Sequence, residues 1–380
     1  MLSHERTVTF SSITTKHKLH HFASFNFILT HASIAMPAAT TIPSISFPPE
    51  IFAALEPAPF LQAHLTNSSP IRPNGRTPSA FRTPAVNTGS LTHGNGSAVV
   101  RLGDTAVVCA VRGEILRASD VADARSIKIV EERLSSGDEG GDGLEKDAAE
   151  IESLNLLVPN LELATGCNTS HLPGNPPSML AQTLSQRILN LLHTTRLVRA
   201  KDLRILCDPA QTPDDLETPD VPPEVQIKAY WTLYIDILFM SLDGNAFDAA
   251  WCALLAALRD TKLPKARWDA DTEMVLCSDR LADAKALELR GSPVPATFAV
   301  FKQSSTQSAE KQSWLLADPD SFEEELYDET VSVVFDCPSR GKRKIHRIEK
   351  SGGGVVGRQL MRDVVQRAEE RWREWEDALG

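Results

Sequence analysis

Apolar residues along this chain fall into blocks, and the spacing within each block predicts the element it forms. Thr83 to Asn87 is a short extended run closed by Gly89-Ser90. Ser97 to Arg101 alternates small and apolar residues, Leu102-Gly103-Asp104 turns the chain, and Thr105 to Val111 is almost wholly apolar. The last pattern predicts a strand covered on both faces, and the whole segment reads as a three-stranded meander. Gly94, Gly96 and Gly103 stand where such hairpins need positive φ or close backbone approach.

Helical spacing takes over elsewhere. Ile51 to Leu65 places apolar residues at helical intervals despite two prolines and predicts a turn or two of helix. LNLLVPNLEL predicts a strand with an extended turn at Pro159, and HLPGNPPS a loop. Ser178 then caps a helix with the stripe Leu180, Leu184, Ile188, Leu191, Leu192 and Leu197. Leu203 to Cys207 is a short strand, followed by an acidic, proline-rich loop. Trp231 to Leu242 predicts a long buried strand, Asp243-Gly244-Asn245 a turn, and Ala246 to Arg259 an apolar helix ending before Pro264. In the last third, PVPATFAVF is a strand and SWLLADPDSFEEELYDETVSVVFD is two strands joined by an acidic turn. KRKIHRIEKSGGG is a basic strand closed by glycines. A terminal helix from Gly357 carries Met361, Val364, Val365, Ala368, Trp372, Trp375 and Leu379 on one stripe. Strands followed by helix, twice over, give an α/β (α+β) fold: two βαβ-type halves, residues 49–264 and 265–380, with mixed sheets and helices packed between them.

Composition marks two segments as outside this core. Residues 1–48 form a low-complexity extension expected to be disordered. Its first 35 residues read either as an extension upstream of a true start at Met36 or as a targeting segment. Ser135 to Glu152 is Gly-rich and acidic, with Lys146 its only base, and reads as a solvated, disordered insertion.

The net charge of −11 means that any nucleic-acid role must rest on a local basic surface. Six scattered cysteines without a C-x-x-C pair predict free thiols in a reducing compartment, and neither disulfides nor a zinc site. His20-His21 and His171 lack partners at metal spacing. SGGGVVG lacks the strand–turn–helix context of a dinucleotide loop, and there is neither a P-loop nor a G-x-S-x-G elbow. No cofactor, no metal and no membrane span is expected.

The order R-P-x-G-R (Arg72 to Arg76), a further arginine at Arg82, then G-S-A-x-V-x-x-G-x-T-x-V-x-x-x-V resembles the opening of the RNase PH family. Strand–D-G-N–helix, VPNLEL, PPSMLAQTLSQRI and AALRDTKLP are similar to its branch of non-catalytic ring subunits of the eukaryotic RNA exosome. The likeness covers roughly residues 50–380, interrupted by the acidic insertion. It implies an RNase PH-like fold and a place in a hetero-hexameric ring with other RNase PH-like subunits. It also implies RNA-binding cap subunits, a separate hydrolytic nuclease, RNA in a central channel, and residence in nucleus, nucleolus and cytoplasm. The role implied is scaffolding 3′-to-5′ RNA processing, rRNA included, and RNA degradation.

In catalytic relatives the turn after the central strand reads D-G-G-T-R and holds phosphate. Here the matching residues are Asp243, Gly244, Asn245, Ala246 and Phe247, so a methyl stands for the hydroxyl and a phenyl ring for the guanidinium. Ala181 or a neighbour takes the place of a second phosphate-binding arginine, although Arg187 remains. The nearest candidates for the catalytic aspartates are Asp318, Asp320 and Asp328, with Thr330 where the second is expected. The resemblance thus implies no catalytic residue and no intrinsic phosphorolysis, since each lost clamp costs a factor of about 10²–10³ in rate. Candidates for RNA contact are Arg72, Arg76, Arg82 and Arg112; for Arg72 and Arg76 a carboxylate across a subunit seam is an equal alternative. Arg340, Lys342, Arg343, Lys344 and Arg347 form a second basic surface, read also as a solvated strand edge or an import patch. A surviving phosphorolytic 3′-to-5′ exoribonuclease and a free-standing RNA-binding protein are the competing readings.

Overall fold

The structure, a computed structural model, describes residues 47–121, 127–131, 143–169, 171–172, 178–207, 226–302, 313–327, 329–339 and 342–379. The predicted disorder of residues 1–46 and 135–142, the loops at 173–177 and 208–225, and the candidates Asp328 and Arg340 lie outside these residues.

Two sheets share one helix. The larger has six strands: β1 (Pro84–Thr88), β2 (Gly96–Leu102), β3 (Thr105–Arg117), β4 (Leu157–Leu163), β5 (Arg204–Leu206) and β6 (Ile227–Ser241). Their order is β1-β2-β3-β6-β4, with β5 also paired to β6. All these ladders are antiparallel except β4 on β6. The smaller sheet runs β12-β11-β13-β14, wholly antiparallel, from β11 (Val294–Lys302), β12 (Ser313–Ala317), β13 (Thr330–Ser339) and β14 (Lys342–Ser351). Two two-stranded sheets follow β6 in the chain: β7 (Lys262–Leu263) pairs with β10 (Lys285–Ala286), and β8 (Ala266–Asp269) with β9 (Met274–Cys277).

The shared helix is α7 (Ala246–Asp260), buried at every position from Ala246 to Leu258. A helix apolar all round belongs inside a protein, and its six alanines bring neighbouring backbones close. Gly96 is the clearest case of that approach: a Cβ there would lie 2.6 Å from the Ala257 carbonyl oxygen. The core around α7 draws on β2, β3 and β6 and also takes in Val294, Val334 and Trp375 of the C-terminal half.

The remaining helices close the outside. α1 (Pro49–Leu55) and α2 (Pro57–Leu65) replace the single predicted helical stretch, broken at Glu56 before Pro57. Leu61 and Leu65 of α2 bury against Ala299, Phe301 and Leu316. α3 spans 127–131. α5 (Met179–Thr195) is capped by the Ser178 side chain; Leu180, predicted on its buried stripe, is exposed. α6 (Ala200–Leu203) leads into β5. α9 (Arg358–Leu379) buries Val364, Ala368, Arg371 and Trp375.

Three expectations need correction. The acidic insertion is not solvated throughout: α4 (Gly143–Ser153) docks it through Ile151 and buried Glu150. Glu150 and Asp147 both accept from Arg204, at 2.5 and 3.2 Å. Arg290 also donates to Asp147 at 3.1 Å, so apolar Ile151 and two arginines outweigh the run's acidity. Pro159 does not turn the chain but lies within β4, where its missing N–H costs nothing because β4 is an edge strand. The acidic link before β13 carries a helical turn, α8 (Ser321–Glu324), and β11 separates β12 from β13. Among the described residues no helix is long and apolar enough to cross a membrane.

Candidate functional site

The turn between β6 and α7 is the expected position of phosphate chemistry. Asn245 and Gly244 both hold positive φ, 48° and 67°. That conformation is inexpensive for glycine and tolerated by asparagine. The Asn245 amide faces α8, where a carboxylate of this chain takes it: Asn245 N–H donates to Glu324 Oε1 at 2.7 Å. Asp243 is turned to α8, accepting from Ser321 N at 3.2 Å and Ser321 Oγ at 2.6 Å. The Asn245 side-chain amide donates to Asp318 Oδ1 at 2.6 Å and Asp248 Oδ2 at 2.9 Å. Asp248 also accepts from the Thr297 amide and hydroxyl, tying α7 to β11.

Phe247 is buried, and the Arg187 guanidinium lies over its ring at 3.9 Å. Arg187 also donates to Glu349 on β14 at 2.7 and 3.1 Å. The arginine that remains near this turn is therefore sandwiched between a ring and a carboxylate. Ala181, on the neighbouring helix, is buried.

The N-terminal arginines converge on the same turn from the opposite side. Arg82 donates through Nε and Nη2 to the two oxygens of Asp318 at 2.9 and 2.8 Å, and through Nη1 to the Asp243 carbonyl at 2.6 Å. Arg72 donates to Glu323 at 3.0 Å and to the Thr77 and Ala80 carbonyls. Two predicted RNA contacts are thereby corrected. The Arg72 side chain is 0% exposed and that of Arg82 7%, so neither can reach a phosphate backbone. Arg76 is mostly covered as well and donates to the Asp318 carbonyl at 3.0 Å. Of the four candidates only Arg112 is open: it lies on the outer face of β3, over the Tyr234 ring and beside Glu114.

Electrostatics follow from this packing. Burial works against the charge on Asp318, but Arg82, Arg371 and Asn245 overcome it and hold the carboxyl below the usual carboxylate range. Burial pushes Asp248 up against the hydrogen bonds from Thr297 and Asn245. It likewise lifts Glu324 to about 7, although the residue as a whole stays exposed and water tempers that shift. Four arginines (Arg72, Arg76, Arg82, Arg371) face six carboxylates (Asp243, Asp248, Asp318, Asp320, Glu323, Glu324). An incoming phosphate meets an excess of acid.

Sequence reasoning missed Glu324, Asp248 and Arg371. Arg371 had a readable signal, since it falls at i+3 from Ala368 and i−4 from Trp375 on the buried stripe of α9. Its Nη1 donates to the Arg82 carbonyl at 2.8 Å while its guanidinium packs on Phe81 and Trp375. Glu324 had none, since α8 is too short to read from periodicity. Of the second basic surface, Lys342, Arg343, Lys344 and Arg347 lie on β14, where Arg343 pairs with Glu369 and Arg347 with Glu349. Among the described residues no group of three or more His, Cys, Asp or Glu could hold a metal ion.

Comparison with known proteins agrees with this architecture. The profile of the 3′ exoribonuclease family, domain 1 (RNase PH), matches residues 80–264. The exosome complex component rrp43 of Schizosaccharomyces pombe is 30% identical over 89% of this chain and 100% of its own length. The exosome complex component Rrp42 of Thermococcus gammatolerans is 24% identical over 74% and 80%. Among solved structures, a chain of the Archaeoglobus fulgidus exosome with RNA bound to the active site superposes with a TM-score of 0.55 at 19% identity, covering 85% of this chain and 97% of that one. A chain of an archaeal exosome core gives 0.51, covering 87% and 100%. With a relative of that identity matched along its whole length and its fold shared with exosome cores, this chain belongs to the RNase PH family of 3′ exoribonucleases.

Proposed function

We propose that this chain is a non-catalytic subunit of an exosome-type ring, supplying interface and channel surface while a separate hydrolytic nuclease cuts the RNA. The observation that carries the reading is the occupied turn: Glu324 takes the Asn245 amide, and Phe247 and Glu349 hold Arg187. A phosphorolytic site needs free N–H donors and a free guanidinium for its dianion. Here the Asn245 N–H and the Arg187 guanidinium already have the chain's own carboxylates as partners. Removing one clamp costs a factor of about 10²–10³ in rate, and these losses act on the same step. The names of the relatives support assembly with other RNase PH-like subunits and contact with RNA. Cap subunits on one face, and residence in nucleus, nucleolus and cytoplasm, complete the proposal.

Exposed Arg112, stacked on Tyr234, is the side chain best placed to meet RNA phosphate. The test has two arms. The native complex should have the mass of a multi-subunit ring containing this chain. The purified chain, given a 3′-tailed RNA and inorganic phosphate, should release no nucleoside diphosphate. A stable lone monomer would overturn the ring assignment, and phosphate-dependent shortening would overturn the loss of catalysis.

A further inference from the structure

We propose that the groove between β14 and α9 is a docking site for an acidic segment of a partner protein, anchored by aliphatic side chains. This goes beyond the ring reading and does not depend on it.

The groove has a volume of about 960 Å³. Its floor is apolar, built by Val356, Met361 and Val365. Beside it β14 is the edge of its sheet, with no strand on its outer side among the described residues. Ile345 and Ile348 on that edge are 41% and 48% exposed, and Val355 in the following turn is 89% exposed. Aliphatic residues on an open strand edge invite another chain, and charge is the common safeguard against unspecific pairing. The charge here is selective. Four arginines, Arg343, Arg358, Arg362 and Arg373, line the groove against Glu369 and Glu370. Glu369 alone takes both Arg343, at 3.1 Å, and Arg373, at 2.5 Å. Arg358 and Arg362 are left with no carboxylate among the described residues, on a chain whose net charge is −11.

Cations around an apolar floor call for an anion with aliphatic anchors. RNA satisfies only half of that description, because no aromatic ring lines the groove and bases gain affinity chiefly by stacking. A peptide satisfies both. An extended acidic segment could bond its backbone to the free edge of β14 and place alternate side chains on the floor.

The test uses the full chain and fluorescence anisotropy with three labelled probes. Two are peptides of equal length and charge: one alternates Asp/Glu with Leu/Val, and the other has Gly/Ser in place of the aliphatic residues. The third is a single-stranded RNA. The expected result is binding of the aliphatic peptide about tenfold or more tighter than the Gly/Ser peptide, worth about 1.4 kcal/mol or more. R358E/R362E should weaken it by at least about tenfold. Both arginines are exposed, so the variant should keep the wild-type melting curve. Met361→Ala should weaken the aliphatic peptide and leave the Gly/Ser peptide unchanged. Equal binding of the two peptides, insensitivity to R358E/R362E, no peptide binding, or preferential RNA binding lost in that variant would each overturn the assignment.

Discussion

Replacing Arg82 with methionine tests whether the N-terminal arginines are internal ties or RNA contacts. Arg82→Met keeps a flexible stem and removes a guanidinium that makes bonds of 2.9 and 2.8 Å to Asp318 and 2.6 Å to the Asp243 carbonyl. Asp318 is 0% exposed, so it would be left as a buried carboxylate without its main counter-charge. Breaking a buried pair in this way costs about 3–5 kcal/mol. Asp318 keeps the residue 82 amide and the Asn245 side chain as donors, so the lower end applies, about 3 kcal/mol. At roughly 2 °C per kcal/mol for a chain of this size, the melting temperature should fall by about 6 °C. The double variant R82M/D318N should recover about 1–3 kcal/mol relative to the sum of the single losses, since each change removes the other's unpaired charge. The acid limb gives an independent reading. Asp318 is depressed in the folded state, so the unfolded chain binds more protons through that range and stability rises with pH. The contribution is present above about pH 4 and is lost as pH falls towards the folded value; R82M should flatten that limb. Urea and thermal melts from pH 2 to 7 make the measurement. An R82M protein that melts within about 1 °C of wild type, with an unchanged acid limb, would refute the internal tie. Weakened RNA binding at unchanged stability would return Arg82 to the RNA path.

Three further outcomes follow from the geometry. Gly244→Ala places a Cβ 2.5 Å from the Asp320 carbonyl carbon at φ +67°; it should cost about 2–3 kcal/mol in urea melts, against about 1 kcal/mol for Gly166→Ala, where φ is +82° and nothing lies within 4 Å. Arg204→Met should release α4, lowering stability by about 3 kcal/mol and removing amide-exchange protection from residues 145–153 first; uniform loss across the chain would show that α4 is not separately held. Arg112→Glu, exposed on β3, should leave the melting curve unchanged, weaken RNA protection by the assembled ring, and reduce its salt slope by about one.

The elements with a strong period were readable without coordinates. β6, the D-G-N turn and α7 follow from a long apolar run, two turn-forming residues and an apolar helix pattern, and each lies within a few residues of its predicted place. Misreadings arose where one tertiary contact overrides composition. The acidic run at 143–153 folds because Arg204 and Arg290, far along the chain, pair with its carboxylates. Pro159 sits in a strand because that strand happens to be an edge. Arg72 and Arg82 looked like surface groups, and nothing local shows that Glu323 and Asp318 close over them from the other half. Partners separated by 251 and 236 positions leave no periodic trace.

The turn at Asn245 combines positive φ with a helix start, and its amide is bonded to a carboxylate built into the chain. A tethered carboxylate competes with free phosphate at an effective concentration in the millimolar range or above. To displace Glu324, phosphate would meet the neighbouring charges of Asp243 and Asp320, while Arg82 is committed to Asp318 and Arg187 to Phe247 and Glu349. The carboxylates of this turn hold residues 72–82, α7 and α8 together through Arg72, Arg76 and Arg82, and Arg371 of α9 joins them by donating to the Arg82 carbonyl. On the proposed non-catalytic reading, the loss of phosphate exchange and the join between the two sheets are, in this chain, one arrangement of side chains.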